Sequence, residues 1–576
     1  MATWRSLAHG RNHDRTTAAG RRMAPAGRGS LTTRTRTSEA AEPRPRSAAG
    51  DGDRAGERLD SWKEIAGHLR RAVRTVQRWE REEHLPVHRH LHDTLGTVYA
   101  YRPELEAWRH ARRARPSIDS LAVLPFASTG ADASLEYLGD GVAESLIHSL
   151  SHLPGLRVMA RSTTFGSTKR RGDPRQVGRA LHVGAVLAGR VLLQGDTLVI
   201  GVELVEVASG RALWGARYRR PAGDILSVQE DIGREIAEAL RLRLTGAEEE
   251  RLARRPTRSS DAYLLYLKGR FCWNNRTREG LRKGIEYFQQ AADRDPGYAL
   301  AYVGLADSYN LLPYYAVLAP RDALPRAKQA ARQALDIDDQ LAEARSALAF
   351  ATWIYDLDWP TAEHGMRHAL ELRPDSAAAH NTYGIYLAAC GRSEEALAEM
   401  KRAQELEPVS LIINATAGWV LYLLRRYDQA IEQARTVLEL DPRFPVAHRY
   451  LGLAYEQKRM FPEAIEALRR ADALSDGSAE NVASLGHAYA MAGSGAEAET
   501  LVRHLTERSR REYVPSYEIA IIYAGLGEKP QAYEWLDRAC HERYHWLNLV
   551  GVDPRLDPLR ADPEFGDLLR RVGVPA

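Results

Sequence analysis

The chain has 576 residues, which is enough for about three to five domains. Its net charge of +4, with 27% charged and 44% hydrophobic residues, is typical of a soluble globular protein and excludes a histone-like polycation. No run of about 18 apolar residues and no apolar leader occur, so we expect no membrane span, no secretory signal and a cytoplasmic location. Cys272, Cys390 and Cys540 are too far apart in sequence for a disulfide framework or a cysteine metal site.

Residues 1–57 are rich in Arg, Ala, Gly, Ser, Thr and Pro and contain almost no aliphatic residues. Eleven Arg stand against six acidic residues, a net charge of +5. Such a stretch cannot bury enough apolar surface to offset its ordering entropy, which predicts a disordered basic tail. Two alternatives are a basic arm that adds nonspecific DNA affinity, and a start codon placed too early, with Met23 as a later candidate.

Residues 58–116 have the pattern of a small helical domain. Ser61 and Glu64 have capping-box spacing, because each side chain can satisfy a free backbone N–H at a helix start. Apolar residues at helical spacing follow as far as Leu69. After a turn at RRAVR, we expect Thr75 to cap a second helix, which Pro86 ends.

The second helix carries residue types that read bases in the major groove. Its side opposite Val76 and Trp79 presents Gln77, Arg78 and Arg81. Arg can bridge O6 and N7 of guanine, Gln can pair with N6 and N7 of adenine, and flanking Arg residues neutralise phosphates. These residues therefore predict binding to double-stranded DNA.

The sequence VHRHLHDTLGTVYAY has β character on both sides of Gly96, which predicts a two-stranded wing, and Pro103 can begin a last helix. His88, His90 and His92 alternate, so they share one face of a strand. No cysteine or suitably oriented carboxylate accompanies them, and we interpret them as wing residues near phosphate rather than metal ligands.

The stretches SWKEIAGHL, RTVQRWERE with LPVHRH, and VYAYRPELEAW resemble the MerR/excisionase-like group of winged helix-turn-helix proteins. The resemblance implies a recognition helix and a wing that face DNA. The predicted DNA-binding residues are Arg71, Arg74, Thr75, Gln77, Arg78, Arg81, His88 and Arg89. Many helix-turn-helix proteins bind two half-sites, so a homodimer is an alternative to a monomer.

Residues 117–250 alternate between strand-like and helix-like runs. Buried strands are expected at SLAVLPFAS and LRVMAR, and three more strands are joined by turns at 195–196 and 209–210. With three intervening or following helices, this predicts an α/β sandwich. LAVLPF, YLGDGVAESLIHSL, LRVMARSTTF and ALWGARY resemble the TolB-N-terminal/FlgO-like domain, which implies an interaction role without catalysis.

Asp140 and Glu144 are the most suggestive acidic pair in this region. Near a predicted helix start they could border an anion site, but a helix cap with a close glycine approach is the preferred interpretation. No phosphate loop, GxSxG elbow, or kinase or cyclase signature occurs. We therefore expect no catalytic residues, no cofactor and no metal, and keep a nucleotide-cyclase or hydrolase relative as an alternative.

Residues 265–546 contain an internal repeat. Its similar endings are separated by 43, 35 and then five times 34 residues: Pro296, Asp339, Pro374, Pro408, Pro442, Asp476, Arg510 and Tyr544. Twelve positions before each ending stands a small residue: Gly284, Ala327, Ala362, Ala396, Ala430, Ala464, Ala498 and Ala532. A 34-residue period with small residues where two helices cross is typical of tetratricopeptide repeats, and eight units are predicted, with residues 547–576 as a cap.

The repeats predict a groove that binds a protein or peptide. Aromatic and Arg side chains on the first helices are typical binding anchors, and the candidates are Asn381, Trp419, Tyr422, Arg449, His487 and Tyr517. The predicted fold class is a multidomain, mainly α protein: a winged helix-turn-helix, an α/β middle domain and a C-terminal α-solenoid. The predicted function is a non-enzymatic transcriptional regulator, and the alternative is an interaction scaffold that does not bind DNA.

Overall fold

The computed structural model describes residues 58–113 except 84 and 91–96, residues 118–240 except 129–135, 152, 154 and 168–172, a few positions between 242 and 248, and residues 255–575 except 476. The tail predicted at residues 1–57 lies outside the described residues. The chain divides into two compact units, Met1–Arg115 and Pro116–Ala576.

In the first unit a small sheet and three helices enclose one core. The elements are β1 (Arg58–Leu59), α1 (Trp62–His68), α2 (Val73–Glu83), β2 (His88–His90), β3 (Thr97–Tyr101) and α3 (Arg102–Arg113). β3 lies between β1 and β2 and is antiparallel to both. Ile65, Val76, Ala100 and Leu105 are fully buried, so each helix contributes one apolar side to this core.

The start of α1 follows the predicted capping box. The Glu64 backbone N–H donates to Ser61 Oγ at 3.2 Å, and the Glu64 carboxylate accepts from the Asp60 N–H at 2.9 Å. The predicted cap at Thr75 is wrong, because α2 begins at Val73 and Thr75 lies inside its first turn. Arg70 adopts a left-handed conformation (φ 52°), which turns the chain directly after α1 and lets the second helix begin early.

The second unit begins with a mixed sheet. Its strands are β4 (Ser120–Val123), β5 (Ala127–Ser128), β6 (Arg157–Val158), β7 (Ala185–Gln194), β8 (Thr197–Glu206) and β9 (Ala212–Pro221). The order is β6-β4-β7-β8-β9, with β5 also paired to β7. β4 is parallel to β6 and β7, whereas β7, β8 and β9 form an antiparallel meander. The two predicted hairpin turns contain Gly195 and Gly210 with positive φ, a conformation that glycine adopts without strain.

Helices cover this sheet on both faces: α4 (Glu136–Leu150), α5 (Arg161–Ser167), α6 (Pro174–Ala180) and α7 (Ile225–Ala239), the last preceded by a 3₁₀ turn (Ala222–Asp224). α4 and α7 share the larger core, and α6 packs in a smaller one. α4 begins before Gly139, so Asp140 and Glu144 lie inside the helix and the predicted helix start there is wrong. The close glycine approach is present, because a Cβ at Gly139 would lie 2.2 Å from the Phe126 carbonyl oxygen.

Eight antiparallel helix pairs follow. Their helices are α8 (Ser260–Asn274), α9 (Arg278–Arg294), α10 (Ala299–Leu311), α11 (Pro320–Ile337), α12 (Ala342–Ala351), α13 (Trp359–Leu372), α14 (Ala377–Ala389), α15 (Ser393–Leu406), α16 (Leu411–Leu423), α17 (Tyr427–Leu440), α18 (Pro445–Gln457), α19 (Phe461–Ala473), α20 (Ala479–Met491), α21 (Gly495–Arg508), α22 (Ser516–Leu526) and α23 (Lys529–Glu542). The two irregular intervals have local causes. The long first interval lies in the α10–α11 connection, and a π turn (Thr352–Asp356) accommodates the extra residue of the third pair.

Small residues allow the helices of each pair to cross closely. The second-helix alanines of the repeat are fully or almost fully buried: Ala327, Ala362, Ala396, Ala430, Ala464, Ala498 and Ala532. Gly452 illustrates the fit, since a Cβ there would lie 2.6 Å from Leu468 and 3.1 Å from the Ala464 carbonyl oxygen. The spacing of small residues therefore reports helix crossings, as predicted.

After α23 the chain returns along the repeats. It forms two 3₁₀ turns (Leu547–Leu549 and Pro554–Leu559) and a last helix, α24 (Pro563–Val572). Among the described residues, no helix is long and apolar enough to cross a lipid bilayer.

Candidate functional site

The outer side of α2 is a basic surface. Arg74, Arg78 and Arg81 are exposed and lie at helical spacing on one side. Val76 and Trp79 anchor the opposite side, with the Trp79 ring 5.6 Å from the ring of Trp108. The sequence pattern of α2 thus separates its buried and exposed sides as predicted.

The other predicted DNA-binding residues lie around this surface. Arg71 is exposed in the turn before α2, and Thr75 and Gln77 are half-buried on the helix. On β2, His88 Nε2 lies 2.7 Å from a Glu104 carboxylate oxygen, and Arg89 lies 2.6 Å from Glu80. The two hairpin residues therefore already contact carboxylates of their own unit.

The predicted row of alternating histidines is described only in part. His92 and the side chain of His90 lie outside the described residues. The His88 ring stacks on Tyr99 at 5.1 Å between centroids. Within the described part of the chain, no group of three or more His, Cys, Asp or Glu side chains could hold a metal ion.

Asp140 and Glu144 lie against arginines rather than around an open site. Arg161 lies 3.3 Å from Asp140 and 3.2 Å from Glu144. Arg270 on α8 donates to Glu144 at 2.6 Å, and Asn274 donates to it at 3.0 Å. Burial raises the pKa of Asp140 to about 6 despite Arg161. This cluster joins the sheet region to the first helix pair.

A second candidate site is formed where residues 544–560, here called the C-terminal segment, lie against the repeats. The repeat side of this contact, here called the repeat groove, consists of Trp419, Tyr450, Glu480, His487, Tyr517 and Glu518. These residues come from the first helices of four successive pairs, α16, α18, α20 and α22. The groove thus collects side chains that are far apart in sequence.

Aromatic residues fill the first part of the groove. The Trp546 ring meets the Trp419 ring edge-on at 4.7 Å, and Trp419 stacks on Tyr450 at 5.6 Å. Trp546 Nε1–H donates to Glu480 at 3.2 Å, and the Tyr544 hydroxyl donates to Glu518 at 2.5 Å. Each aromatic residue of the segment therefore has both an apolar contact and a polar one.

Polar contacts fix the second part of the segment. The Tyr517 hydroxyl donates to the Asp553 carboxylate at 2.8 Å, and Arg555 pairs with the same carboxylate at 2.7 Å. His487 Nε2 lies 3.2 Å from the Arg555 carbonyl oxygen. At the edge, Arg425 binds Asp557 through two hydrogen bonds of 2.7 and 2.8 Å.

Burial of so many charges changes their protonation. Burial, followed by repulsion from Glu480, raises the pKa of Glu518 to about 7. Burial also opposes ionisation of Glu480, but Arg449 and then His545 outweigh it and hold the pKa of Glu480 below its ordinary value. Burial lowers the pKa of His545. The groove therefore holds Glu480 as an anion beside a Glu518 that retains its proton more readily than usual.

The predicted partner-binding residues have different fates. Trp419, His487 and Tyr517 contact the C-terminal segment directly, and Arg449 pairs with Glu480, which accepts from Trp546. Tyr422 is buried in the same core as Trp419. Asn381 on α14 is half-buried, and its amide oxygen has no hydrogen-bond partner among the described residues.

The prediction missed the charged residues of the groove. Glu480 and Glu518 belong to it, and Glu456 contacts His487 at 2.9 Å. Glu456 stands 34 residues after Tyr422, at the same repeat position. A search of equivalent repeat positions for acidic residues, in addition to aromatic ones, would have found it.

Two segments of the chain match known families. Residues 117–219 match the HilA/YgeH-like transcriptional regulator, second domain, and residues 416–479 match the tetratricopeptide repeat. The predicted presence of tetratricopeptide repeats is confirmed.

Curated relatives include proteins with different names. "Putative adenylate cyclase 3" of Rhizobium meliloti (strain 1021) is 33% identical over 255 residues, which cover 43% of this chain and 42% of that protein. Transcriptional regulator HilA of Salmonella typhimurium is 23% identical over 313 residues, 54% of each chain. This chain spans about half the length of the curated relatives it matches.

Solved structures similar to this chain include repeat proteins. YrrB, described as a TPR protein with an unusual peptide-binding site, is 23% identical, covers 33% of this chain and 93% of its own, and has a TM-score of 0.24. A chain of the APC/C hetero-tetramer Cut9–Hcn1 is 16% identical, covers 61% and 59%, and has a TM-score of 0.37. The chain thus contains tetratricopeptide repeats and a domain similar to the second domain of HilA/YgeH-like transcriptional regulators.

Proposed function

We propose that this chain is a DNA-binding transcriptional regulator whose repeats bind a protein partner. The observation that carries the proposal is the exposed basic side of α2, built by Arg74, Arg78 and Arg81. The similarity of residues 117–219 to a domain of transcriptional regulators supports it. Because DNA is the ligand, the proposal also implies a cytoplasmic protein.

In the proposal, residues 58–113 act as a winged helix-turn-helix. α1, the tight turn at Arg70 and α2 correspond to the helix-turn-helix, and the β2–β3 hairpin corresponds to the wing. α2 enters the major groove, where Gln77 and Arg78 read base edges and Arg71, Arg74 and Arg81 neutralise phosphates, with Thr75 beside them.

The wing has a different part in this proposal. His88 and Arg89 lie against Glu104 and Glu80, so a phosphate contact requires each to exchange a carboxylate for a phosphate oxygen. Arg89 is 58% exposed, which leaves it accessible for that exchange. The wing therefore adds affinity after α2 has bound.

The charge distribution favours this arrangement. Residues 58–116 carry a net charge of +5, as do residues 1–57, whereas the remaining 460 residues carry −6. A basic end attracts the phosphate backbone, and the acidic remainder is repelled by it. DNA binding is thereby directed to one end of the sequence.

Selection of the full chain on randomised double-stranded DNA tests the proposal. We expect enrichment of a defined sequence, and we expect Arg78→Ala to weaken binding to it by about 1–3 kcal/mol and to lower the salt slope by about one. Arg219→Ala, an exposed arginine of β9, removes the same charge elsewhere and is expected to change little. No enriched sequence, together with an unchanged Arg78→Ala affinity, would leave the interaction-scaffold alternative.

An enzymatic function is the second candidate, because one relative is named as an adenylate cyclase. We propose that this chain is not an enzyme: the acidic pair of the sheet region, Asp140 and Glu144, is engaged by Arg161 and Arg270. Incubation of the full chain with ATP and Mg²⁺ or Mn²⁺ is expected to yield no cyclic AMP. Product formation above a no-protein control would contradict this part of the proposal.

A further inference from the structure

The repeat groove is filled by the C-terminal segment of the same chain. We propose that the groove is a binding site for a partner protein segment that presents an aromatic residue and, further along, an Asp–Pro–Arg–x–Asp sequence, and that this partner replaces residues 544–560. The inference rests on the proposed function, in which the repeats bind a protein. It adds the chemistry of the partner and the state of the groove before the partner binds.

The groove recognises its occupant by side-chain chemistry that a partner can reproduce. At one end, the carboxyl groups of Glu480 and Glu518 accept hydrogen bonds from aromatic residues, beside the flat surface of Trp419. At the other end, donors stand in sequence: Tyr517 for one carboxylate and Arg425 for a second. An aromatic residue followed by two acids four positions apart matches this order.

The backbone of the segment is that of a bound peptide rather than of a repeat. Its regular parts are two short 3₁₀ turns, and it contributes no helix to any of the eight pairs. One backbone contact to the groove is the Arg555 carbonyl oxygen, which faces His487. Because side chains make most of the described contacts, another segment with the same side chains can make them too.

Several buried polar atoms at this contact have no hydrogen-bond partner. They are both ring nitrogens of His545, both amide atoms of Asn548, one carboxylate oxygen of Glu518 and the Tyr422 hydroxyl. Each such atom costs about 1–3 kcal/mol when it is removed from water. A cavity of ≈ 20 Å³ also remains between the segment and the groove. The self-contact is therefore far from an optimal fit, and a partner can improve on it.

Paired charges inside the contact add to this cost. The Arg449–Glu480 and Asp553–Arg555 pairs are almost completely removed from water. Buried ion pairs contribute little net stability, because their desolvation cost offsets much of their attraction. Such pairs instead make binding selective, since a segment without matching charges would leave Glu480 or Arg449 unpaired.

Covalent linkage favours the self-contact. The segment follows α23 directly, so its effective concentration at the groove is on the order of millimolar or higher. A free peptide of the same sequence therefore competes poorly with the wild-type segment. It should bind well once the segment is weakened by changes that leave the groove intact.

The test uses a fluorescein-labelled synthetic peptide with the sequence of residues 543–561 and the full chain carrying Trp546→Ala and Asp557→Ala. We expect the peptide to bind this double variant about tenfold or more tightly than wild type, by fluorescence anisotropy. In the same background, Tyr517→Phe is expected to weaken peptide binding about tenfold, because it removes only the hydroxyl that donates to Asp553. Tyr523→Phe, on the same helix but outside the groove as defined, is the matched control.

Equal peptide affinity for wild type and double variant would overturn the proposal. So would absence of binding by a double variant whose thermal unfolding matches wild type. If the double variant fails to fold, hydrogen exchange on the wild-type chain decides. We expect amides of residues 544–560 to exchange about tenfold faster than those of α20, and faster still with excess unlabelled peptide. Protection equal to that of α20, unchanged by peptide, would contradict exchange of the segment.

These outcomes are independent of the DNA experiment. Failed DNA selection with successful peptide exchange would overturn the DNA-binding part of the proposed function and leave the groove assignment standing. Successful DNA selection with failed peptide exchange would overturn the groove assignment alone.

Discussion

Glu518 lies fully buried on α22, where an aromatic hydroxyl and several charges surround it. Burial and repulsion from Glu480 favour its protonated form, and Arg555 and Arg449 only partly oppose them. A protonated carboxyl group avoids a second buried anion close to Glu480 and still accepts from Tyr544. The environment of this one residue thus decides how many charges the groove carries at neutral pH.

This environment gives a pH dependence. The pKa of Glu518 is raised from 4.5 to about 7, so between these values the folded chain keeps a proton that the unfolded chain releases. The associated stability is present below about pH 4.5 and is lost as the pH rises through about 7. Relative to Glu518→Gln, wild type should therefore lose on the order of 3 kcal/mol of unfolding free energy between about pH 5 and pH 8.

Urea unfolding of both chains at several pH values measures this difference. The contribution of His545, which titrates in an overlapping range with the opposite sign, is common to both chains and cancels. A difference in unfolding free energy that stays constant with pH would contradict a raised pKa for Glu518.

At the scale of elements, the repeat helices show why a spacing rule predicts some contacts and not others. The small residues of the second helices mark crossings, and each crossing depends on two neighbouring helices that recur every 34 residues. The start of α2 was misplaced because Arg70, a residue that seldom adopts positive φ, turns the chain there. Periodic sequence signals therefore predict helix pairing better than helix ends.

Overpacking a crossing tests the role of these small residues. Ala464 is fully buried on α19, beside the Gly452 crossing, so Ala464→Leu should lower the unfolding free energy by about 1–3 kcal/mol. Ala473 is exposed near the end of the same helix, and Ala473→Leu adds the same atoms without a clash. Thermal and denaturant unfolding of the two variants should differ clearly. Equal effects would mean that the crossing can expand without cost.

At the scale of the whole molecule, the sheet region and the repeats share one core. Tyr263, Leu267 and Tyr298 from the first helices of the repeat region pack with residues of α4 and α7. The Tyr263 hydroxyl donates to Gln229 at 2.7 Å, and Arg255 binds Glu230 through two bonds of 2.9 Å. Although sequence composition separates residues 117–250 from 265–546, these contacts join the two segments.

The charged cluster in this shared core gives a further prediction. Glu144→Ala would leave Arg270 and Arg161 without a partly buried partner, and we expect a loss of about 2–4 kcal/mol in unfolding free energy. Glu136→Ala changes an exposed acid on the same helix and should cost under about 0.5 kcal/mol. We also expect the sheet region and the first helix pair to unfold in one transition. Separate transitions in calorimetry would contradict a shared core.

The sequence alone determined the repeat period, the amphipathic sides of α2 and the strand order of the hairpins, because these depend on spacing and turn chemistry that are local to the chain. It identified Trp419, His487 and Tyr517 as groove candidates from their repeat positions. It could not show that residues 544–560 lie against them. That contact depends on how eight helix pairs stack, and on whether charges such as Glu480 and Asp553 find partners more than thirty residues away. Only the tertiary structure decides which side chains meet, since burial and pairing are properties of the folded chain.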